Sequence, residues 1–283
     1  MNELVAPKSF AALTGELPSV KIVDIGANPI DGAPPYVSLI AEGATSLVGF
    51  EPNPEALARL DSLKGAHETY LPHAIGDGAR HVLHVCQAPG MTSLLEPDPQ
   101  VLSLFHGFPD WGHVVERLEV DTRRLDDIEE TRGVEFIKID IQGGELLALS
   151  NSPERLASTL VIQTEVEFLP LYRNQPLFSD VERFLRRAGF MLHRFFPTVS
   201  RAVTPLVVND DIYAGLDQLV WADAVFVRDF TKLEKLQDIE LLKTARILHA
   251  CYRAFDLVLH LLAQHDRRTG GTLASAYLAG LTA

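Results

Sequence analysis

The sequence predicts an α/β domain built on a mostly parallel sheet, with helices on both faces and a helical extension at the C-terminus. Short apolar runs alternate with helical patterns along most of the 283 residues, which is typical of strand–helix–strand units joined into a parallel sheet. The last two predicted strands have no long helix between them, so we expect them to form an antiparallel hairpin at the sheet edge. Beyond Phe230 the chain becomes continuously helical.

The predicted strands are runs of apolar and β-branched residues bounded by turn-forming residues. They cover residues 20–25, 46–50, 67–71, 80–86, 114–122, 134–140, 160–166, 190–196 and 219–227. The run 80–86 alternates like an edge hairpin. The predicted helices within the domain cover residues 36–42, 54–64, 143–149 and 178–188. The segment 197–216 is predicted to be an irregular connection, because Pro197 and Pro205 interrupt any helical period.

Composition and charge disfavour several classes of protein. A formal net charge of −13 is unfavourable for a general binder of nucleic-acid backbones. Cys86 and Cys251 form no C-x-x-C pair, which disfavours a disulfide framework or a cysteine-rich zinc site and suits a reducing compartment. The first residues lack the pattern of a secretory signal, and no apolar run reaches the ~18 residues of a membrane span. We therefore expect a cytoplasmic protein.

The loop after the first predicted strand has the sequence VDIGANPIDGAPPY over residues 23–36. A pyrophosphate-binding turn carries closely spaced glycines, G-x-G-x-x-G, at a helix N-terminus. This loop has only Gly26 before Ala27 and Asn28, and Pro29 removes a backbone donor. Such a loop better suits a cofactor with a nucleoside and an amino-acid tail but no phosphate, and S-adenosylmethionine is that cofactor.

Acidic residues end or follow three successive predicted strands. Asp24 ends the first, Glu51 ends the second, and Asp77 follows the third. The carboxyl ends of parallel strands meet at one sheet edge, which is where ligands bind in open α/β sheets. Glu51 could accept from both ribose hydroxyls and Asp77 from the adenine amino group. Each acid alone could equally cap a helix or form a turn.

Six stretches carry a resemblance to a known family: VDIGAN, GFEPNPEAL, AIGDG, MTSLLEP, RLDDI and FIKIDIQGGELLAL, in that order between Lys21 and Phe196. With them the chain resembles the FkbM family of S-adenosylmethionine-dependent methyltransferases. The resemblance implies the class I methyltransferase fold, a Rossmann-like, seven-stranded sheet whose last strand is antiparallel. It also implies methyl transfer from S-adenosylmethionine, commonly to a hydroxyl of a sugar, glycan or polyketide-type product.

The resemblance also implies roles for individual residues. The expected cofactor contacts are Asp24, Gly26, Asn28, Glu51, Pro52 and Asp77, with Ser93 and Leu94 helping to close the site. The opening loop departs from the family because PIDGAPP lengthens it before Tyr36. We expect Asp31 and Tyr36, in that longer connection, to meet the methyl acceptor.

Two further carboxylates, Asp140 and Glu165, end predicted strands in IKID and VIQTE. We expect them to flank the acceptor hydroxyl, either as general base or as ligands of Mg²⁺. The alternative for Asp140 is a cap on the following helix. His73 and His193 are further candidate proton acceptors, and either could instead be a partly buried structural histidine.

Four residues near these carboxylates are candidates to contact the acceptor. Glu145 lies at a helix start, where it could instead serve as a cap. Glu167 and Tyr172, together with Arg173, lie in EVEFLPLYRNQP after a predicted strand. They could shape the acceptor pocket or simply pack in the loop.

The predicted organisation has three parts: an N-terminal helix or lead-in over 1–19, a methyltransferase domain over 20–229 and a helical extension over 230–283. In the extension Leu241, Leu248, Phe255 and Leu262 recur every seven residues and form an apolar seam. That seam either packs against its own domain or forms a contact in a homodimer or a docking surface.

Two other functions stay open from the residues alone. An NAD-dependent oxidoreductase on a related sheet would need the glycine fingerprint that the first loop lacks. A non-catalytic module would bind the cofactor structurally and recruit a partner through the helical extension. For the methyltransferase we expect a small-molecule or glycan acceptor and no nucleic-acid partner, with either oxygen or nitrogen as the accepting atom.

Overall fold

The computed structural model describes Phe10 and residues 19–28 and 32–281. The strands in these residues, numbered in chain order, are β1 Val20–Ile25, β2 Thr45–Phe50, β3 Glu68–Leu71, β4 Ala74–Ile75, β5 Arg80–Cys86, β6 Val114–Arg123, β7 Phe136–Ile139, β8 Val161–Glu167, β9 Phe190–Arg201 and β10 Gln218–Arg228. The helices are α1 Val37–Ala41, α2 Pro54–Leu63, α3 Pro99–Leu102, α4 Phe108–Trp111, α5 Glu145–Ser150, α6 Pro153–Ser158, α7 Phe178–Arg187, α8 Asp238–Ile247, α9 Phe255–Thr269 and α10 Leu273–Gly280. A π-helical turn, Leu248–Tyr252, joins α8 to the segment before α9.

The central sheet of the described chain has seven strands in the order β3-β2-β1-β7-β8-β10-β9. β1 pairs in parallel with β2 and β7, and β2–β3 and β7–β8 are also parallel. β10 runs antiparallel to both β8 and β9. The predicted class I architecture, a mostly parallel sheet with an antiparallel last strand, is therefore confirmed. The inner strands are nearly continuous apolar runs because helices cover both faces of the sheet.

β9 is longer than the sequence predicts. The predicted strand stops at Phe196, whereas β9 continues through Pro197 to Arg201. Proline is tolerated here because β9 is the edge strand and its register against β10 shifts between Phe195 and Thr198. The irregular connection is consequently confined to residues 202–217.

A second sheet of the described residues consists of β4, β6 and β5 in that order. β5 and β6 form an antiparallel pair, and β4 joins β6 in parallel. The alternation of residues 80–86 thus belongs to this separate sheet. Beyond the carboxyl edge of the central sheet an apolar cluster ties β5 to the segment after β8, with Cys86, Phe105, Leu171 and Tyr172 among its buried members.

The C-terminal helices share a core with the central sheet. The predicted continuous helix is interrupted after Tyr252, where Arg253 has a left-handed backbone with φ 51°. All four seam residues are buried in one cluster with residues of β1, β7 and β10: Leu241, Leu248, Phe255 and Leu262. The seam therefore packs against its own sheet, and it offers no free face for the homodimer contact. None of the helices in the described ranges is long and apolar enough to cross a bilayer.

Arg246 fixes this extension to the sheet. Its side chain, only 2% exposed, donates to Glu42 Oε2 at 3.0 Å and to the Ala44 carbonyl at 3.2 Å. Of the predicted lead-in over 1–19, only Phe10 and Ser19 lie in the described part of the chain, and Phe10 is buried in the same core.

Candidate active site

Asp24 lies at the carboxyl end of β1 and is 2% exposed. It pairs in register with Lys138 on β7, so both side chains lie on one face of the sheet, with Lys138 Nζ 3.5 Å from Asp24 Oδ1. Tyr36 donates a hydrogen bond to Asp24 Oδ2. Burial raises the pKa of Asp24, and Lys138 and Tyr36 act in the opposite direction by stabilising the carboxylate. The sequence pattern does not indicate a role for Lys138 in the site, because Lys138 looks like an ordinary strand residue.

Lys138 lies between two carboxylates. Its Nζ is 3.9 Å from Asp140 Oδ2 as well as close to Asp24. Burial lowers the pKa of the ammonium, but Asp24 and Asp140 more than offset that effect and raise it above the usual lysine value. Lys138 therefore remains a cation in the interior of the sheet.

Tyr36 is predicted to meet the acceptor, and in the fold its hydroxyl contacts Asp24. It is 3% exposed, packs edge-on against Phe136 and directs its hydroxyl at Asp24. It also lines a groove of ≈ 310 Å³ with Ala27 and Tyr70. Its contacts are those of a residue that orients Asp24. Asp31, the other acceptor candidate of this loop, lies outside the described residues.

The first loop passes close to the end of β7. Gly26 has φ 82°, and a Cβ there would lie 2.0 Å from the Asp140 carbonyl oxygen. The chain's own packing thus requires glycine at this position, a reason that the sequence analysis did not foresee. Asn28 Oδ1 accepts from Arg59 Nη2 of α2 at 2.7 Å, which fixes the loop at its far side.

Glu51 follows β2 directly and is 7% exposed. Its Oε1 accepts from the Asn53 amide at 2.7 Å, and Asn53 in turn caps α2. Burial raises the pKa of Glu51, while the Asn53 amide lowers it. Pro52, beside it, is exposed. A buried carboxylate at this strand end fits the ribose-binding acid expected for S-adenosylmethionine.

Asp77 lies in the turn between β4 and β5. Its Oδ1 is 2.8 Å from His81 Nε2 and accepts from the Ala79 amide at 2.9 Å. These contacts, His81 first, lower the pKa of Asp77. At least one of its oxygens therefore stabilises the turn, and the contact with adenine stays a prediction.

Asp140 and Glu165 are brought together, as predicted, and a third residue joins them. Gln142 Nε2 donates to Asp140 Oδ1 at 3.0 Å and to Glu165 Oε2 at 2.8 Å. Its Oε1 accepts from the Tyr172 hydroxyl at 3.2 Å. Ser93 donates to the Gln142 carbonyl at 2.6 Å and so contacts the loop after β7; its role in closing the site stays a prediction. Gln142 lies within the motif FIKIDIQGGELLAL, but the motif alone does not indicate a role for it.

The pKa values of three acids around Gln142 are raised: Glu145, Glu165 and Glu167. Burial raises the pKa of Glu165 well above its usual range, and neighbouring carboxylates, Asp140 first, raise it further. Glu167 is 3% exposed, and burial and neighbouring carboxylates also raise its pKa well above the usual range. Burial raises the pKa of Glu145 to about 7, and Glu145 Oε1 accepts from the Ile141 amide at 2.8 Å. Glu145 thus ties down the loop before α5, as the capping alternative predicts.

Two acceptor-pocket candidates have structural partners. Tyr172 is fully buried and also donates to the Met91 carbonyl at 3.2 Å. Arg173 is exposed and pairs with Glu96 at 3.2 Å. Tyr172 therefore reaches the carboxylate pair through Gln142, whereas Arg173 lies on the outer side of the same loop.

The histidine candidates lie apart from the carboxylate pair. His73 follows β3, which is three strand positions from β7, a separation of about 14 Å at the usual strand spacing. Its ring stacks on Phe50, its Nε2 is 3.0 Å from Arg123 Nη1, and burial lowers its pKa. His193 belongs to the edge strand β9, where burial lowers its pKa too.

The site does not fit the proposed Mg²⁺. Among the described residues no group of three or more histidine, cysteine or acidic side chains could hold a metal ion. The Gln142 amide, a hydrogen-bond donor, lies against one oxygen of Asp140 and one of Glu165. That arrangement satisfies the pair without a cation, so the metal interpretation of Asp140 and Glu165 finds no support.

Comparison with known proteins identifies the family of the chain. No curated protein matches the chain. Among solved structures, the precorrin-6y C5,15-methyltransferase from Geobacter metallireducens GS-15 is 14% identical with a TM-score of 0.38, over 77% of this chain and 84% of that chain. A putative methyltransferase from Thermoplasma acidophilum is 8% identical with a TM-score of 0.35, over 76% and 71%. The family model of the methyltransferase FkbM domain matches residues 24–192, more than half of the chain. The protein therefore belongs to the FkbM family of S-adenosylmethionine-dependent methyltransferases.

Proposed function

We propose that the protein methylates a hydroxyl group of a sugar, glycan or related metabolite. The observation that carries this proposal is the Asp140–Gln142–Glu165 arrangement at the carboxyl edge of the sheet. A hydroxyl is a poor nucleophile at neutral pH, so its methylation benefits from a base that takes the proton as the new bond forms. Asp140, whose side chain is 28% exposed, is accessible to an acceptor.

Asp24 and Glu51 suit the cofactor. Both are buried carboxylates at the ends of neighbouring parallel strands, where a sulfonium cofactor with a ribose diol would find acceptors and negative charge. When bound, S-adenosylmethionine supplies an electrophilic methyl group on a positively charged sulfur. Lys138 keeps Asp24 charged, and Tyr36 orients it.

Asp140 would act on the acceptor. Its carboxylate takes the hydroxyl proton while the acceptor oxygen forms a bond to the methyl carbon and the carbon–sulfur bond breaks. Alignment of oxygen, carbon and sulfur within about 3–3.5 Å supplies much of the rate enhancement of such a displacement. No metal ion takes part in this scheme.

We also propose a cytoplasmic location and no nucleic-acid partner. The two cysteines of the sequence, Cys86 and Cys251, are free thiols, which suits a reducing compartment. The net charge of −13 opposes binding to a phosphate backbone.

The test has two stages. Calorimetry with S-adenosylmethionine and S-adenosylhomocysteine establishes cofactor binding, with NADH as the comparison ligand. Incubation with S-adenosylmethionine and a panel of mono- and oligosaccharides, phenols and amines then identifies the accepting atom by mass spectrometry and NMR. Transfer to a saccharide hydroxyl, in the presence of EDTA, is the expected result. Transfer to amines alone would contradict the proposal.

A further inference from the structure

Gln142 has an unusual backbone and four defined contacts. Its φ is 57°, in the left-handed region that a non-glycine residue seldom occupies. The side chain contacts Asp140, Glu165 and Tyr172, and the carbonyl accepts from Ser93. Contacts through both the carbonyl and the side chain hold Gln142 in this conformation, so the surrounding structure fixes the position of its side chain.

The chemistry of the contacts determines which way the amide points. Asp140 and Glu165 offer oxygens that accept, so the NH₂ group faces them, and Oε1 shares the single hydrogen of the Tyr172 hydroxyl with the Met91 carbonyl. Both amide hydrogens are thereby used, one on each carboxyl group. The amide lies between the two acids and contacts both.

The contact also distinguishes the two oxygens of Asp140. Oδ1 accepts from Gln142 at 3.0 Å, whereas Oδ2 lies 3.9 Å from Lys138 Nζ, beyond hydrogen-bond distance. Oδ2 is thus the oxygen with room to accept a proton from another group.

We propose that Gln142 is a positioning residue of the acceptor site, whose amide holds Asp140 and Glu165 apart and presents Asp140 Oδ2 to the acceptor hydroxyl. This inference rests on the proposed methyl transfer, in which Asp140 is the base. In this role Gln142 makes no direct contact with the substrate. The amide acts by orienting Asp140 and by stabilising its charged form through a hydrogen bond.

Several charged and titratable groups face the pair and bear on any pH effect. They come from the neighbouring strands, from the loop after β8 and from α5: Asp24, Lys138, Glu145, Glu167, Tyr172 and Asp223. All except Lys138 are acids. Gln142 is thus the uncharged donor that lies between Asp140 and Glu165.

The central variant is Gln142→Met, which keeps the length of the side chain and removes the amide. We expect kcat to fall about tenfold because the base is no longer oriented. The KM for S-adenosylmethionine should stay within about twofold of the wild-type value, because Gln142 is placed on the acceptor side. Gln142→Glu, which puts a third carboxylate there, should lower kcat further at neutral pH.

The matched control is Gln87→Met, at an exposed glutamine in the segment after β5, which should behave as wild type. A kcat of Gln142→Met within twofold of the wild-type value would overturn the positioning role. A fall in melting temperature with equal rises in both KM values and an unchanged kcat would also overturn it, because that is the signature of a purely structural residue.

A second readout separates this inference from the proposed function. Proteins with ¹³C-labelled aspartate and glutamate carboxyls are compared by NMR at one pH without acceptor, with Asp140 and Glu165 assigned from D140N and E165Q. Changed carboxyl resonances of Asp140 and Glu165 in Gln142→Met, but not in Gln87→Met, support the role even if no acceptor in the panel is methylated. Identical carboxyl resonances in wild type and Gln142→Met would refute it even if methyl transfer is observed.

Discussion

Lys138 Nζ lies 3.5 Å from Asp24 Oδ1, on neighbouring parallel strands where the two residues pair in register. Asp24 is 2% exposed, so its charge depends on this partner. A buried ion pair whose cation is removed leaves an uncompensated charge, which costs far more than replacing the whole pair.

We therefore expect Lys138→Met to destabilise the fold by about 3 kcal/mol. The double variant Lys138→Met/Asp24→Asn should recover part of that loss, because the buried charge is then gone as well. Urea unfolding of the wild type, both single variants and the double variant forms a complete cycle. Strictly additive effects would show that the pair is not coupled.

The packing of Gly26 gives a second prediction with an internal control. Gly26 has a left-handed φ of 82°, and the Cβ of an alanine there would lie 2.0 Å from the Asp140 carbonyl oxygen. Gly43 has almost the same φ, 81°, but the Cβ of an alanine there would meet no neighbouring atom within 4 Å. Gly43→Ala should cost about 1 kcal/mol, the backbone effect alone. Gly26→Ala should cost at least about 2 kcal/mol more, as overpacking does. Equal losses in the free energy of unfolding for the two variants, measured by heat or urea, would mean that the contact between the new Cβ and the Asp140 carbonyl oxygen is relieved without cost.

Glu145 should make stability depend on pH. Its pKa is raised from 4.5 to about 7 in the folded protein, so the folded state binds more protons than the unfolded state between these values. Stability from this residue is consequently greatest at low pH and falls as the pH rises from about 4.5 to 7. The loss is at most roughly 3 kcal/mol.

Glu145→Gln tests this dependence because its carbonyl oxygen can still accept from the Ile141 amide. The variant should gain stability relative to wild type as the pH rises from 5 to 7.5, as measured by urea unfolding at each pH. A constant difference across that range would show that Glu145 does not titrate there.

The C-terminal helices should be integral to the fold. Arg246→Met removes the buried cation that donates to Glu42 and the Ala44 carbonyl, and we expect a loss of about 3 kcal/mol. Arg183→Met, which breaks an exposed pair with Asp180, should cost less than about 1 kcal/mol. Guanidinium unfolding compares the two. A similar small loss in both variants would mean that the extension is not anchored through Arg246.

Sequence patterns predicted the strands and the edge on which the acids meet, because an apolar run bounded by turn residues carries that information locally. The Asp140–Glu165 pair followed from both residues ending parallel strands. Gln142 and Lys138 could not be assigned in the same way, since their roles depend on which strands are neighbours and on a left-handed turn that glycine normally marks. Pro197 was taken as a strand end because the sequence does not show that β9 is the edge strand.

In the first loop, motifs alone do not explain each residue. Gly26 is predicted to contact the cofactor, and the close approach of the Asp140 carbonyl gives a second reason for glycine at this position. Tyr36 contacts Asp24, and its predicted contact with the acceptor stays a prediction. Membership in a methyltransferase family sets aside the oxidoreductase alternative, and the four seam residues are buried against the sheet.

The most direct test of the account compares Asp140→Asn with Glu165→Gln in single-turnover methyl transfer to an identified acceptor. General-base catalysis contributes about 10²–10⁴-fold, so Asp140→Asn should lose at least about a hundredfold in rate while its affinity for S-adenosylhomocysteine stays unchanged. Glu165→Gln should lose far less, because the raised pKa of Glu165 already favours its neutral form. Undiminished turnover by Asp140→Asn with normal cofactor binding would contradict the assignment of Asp140 as the base.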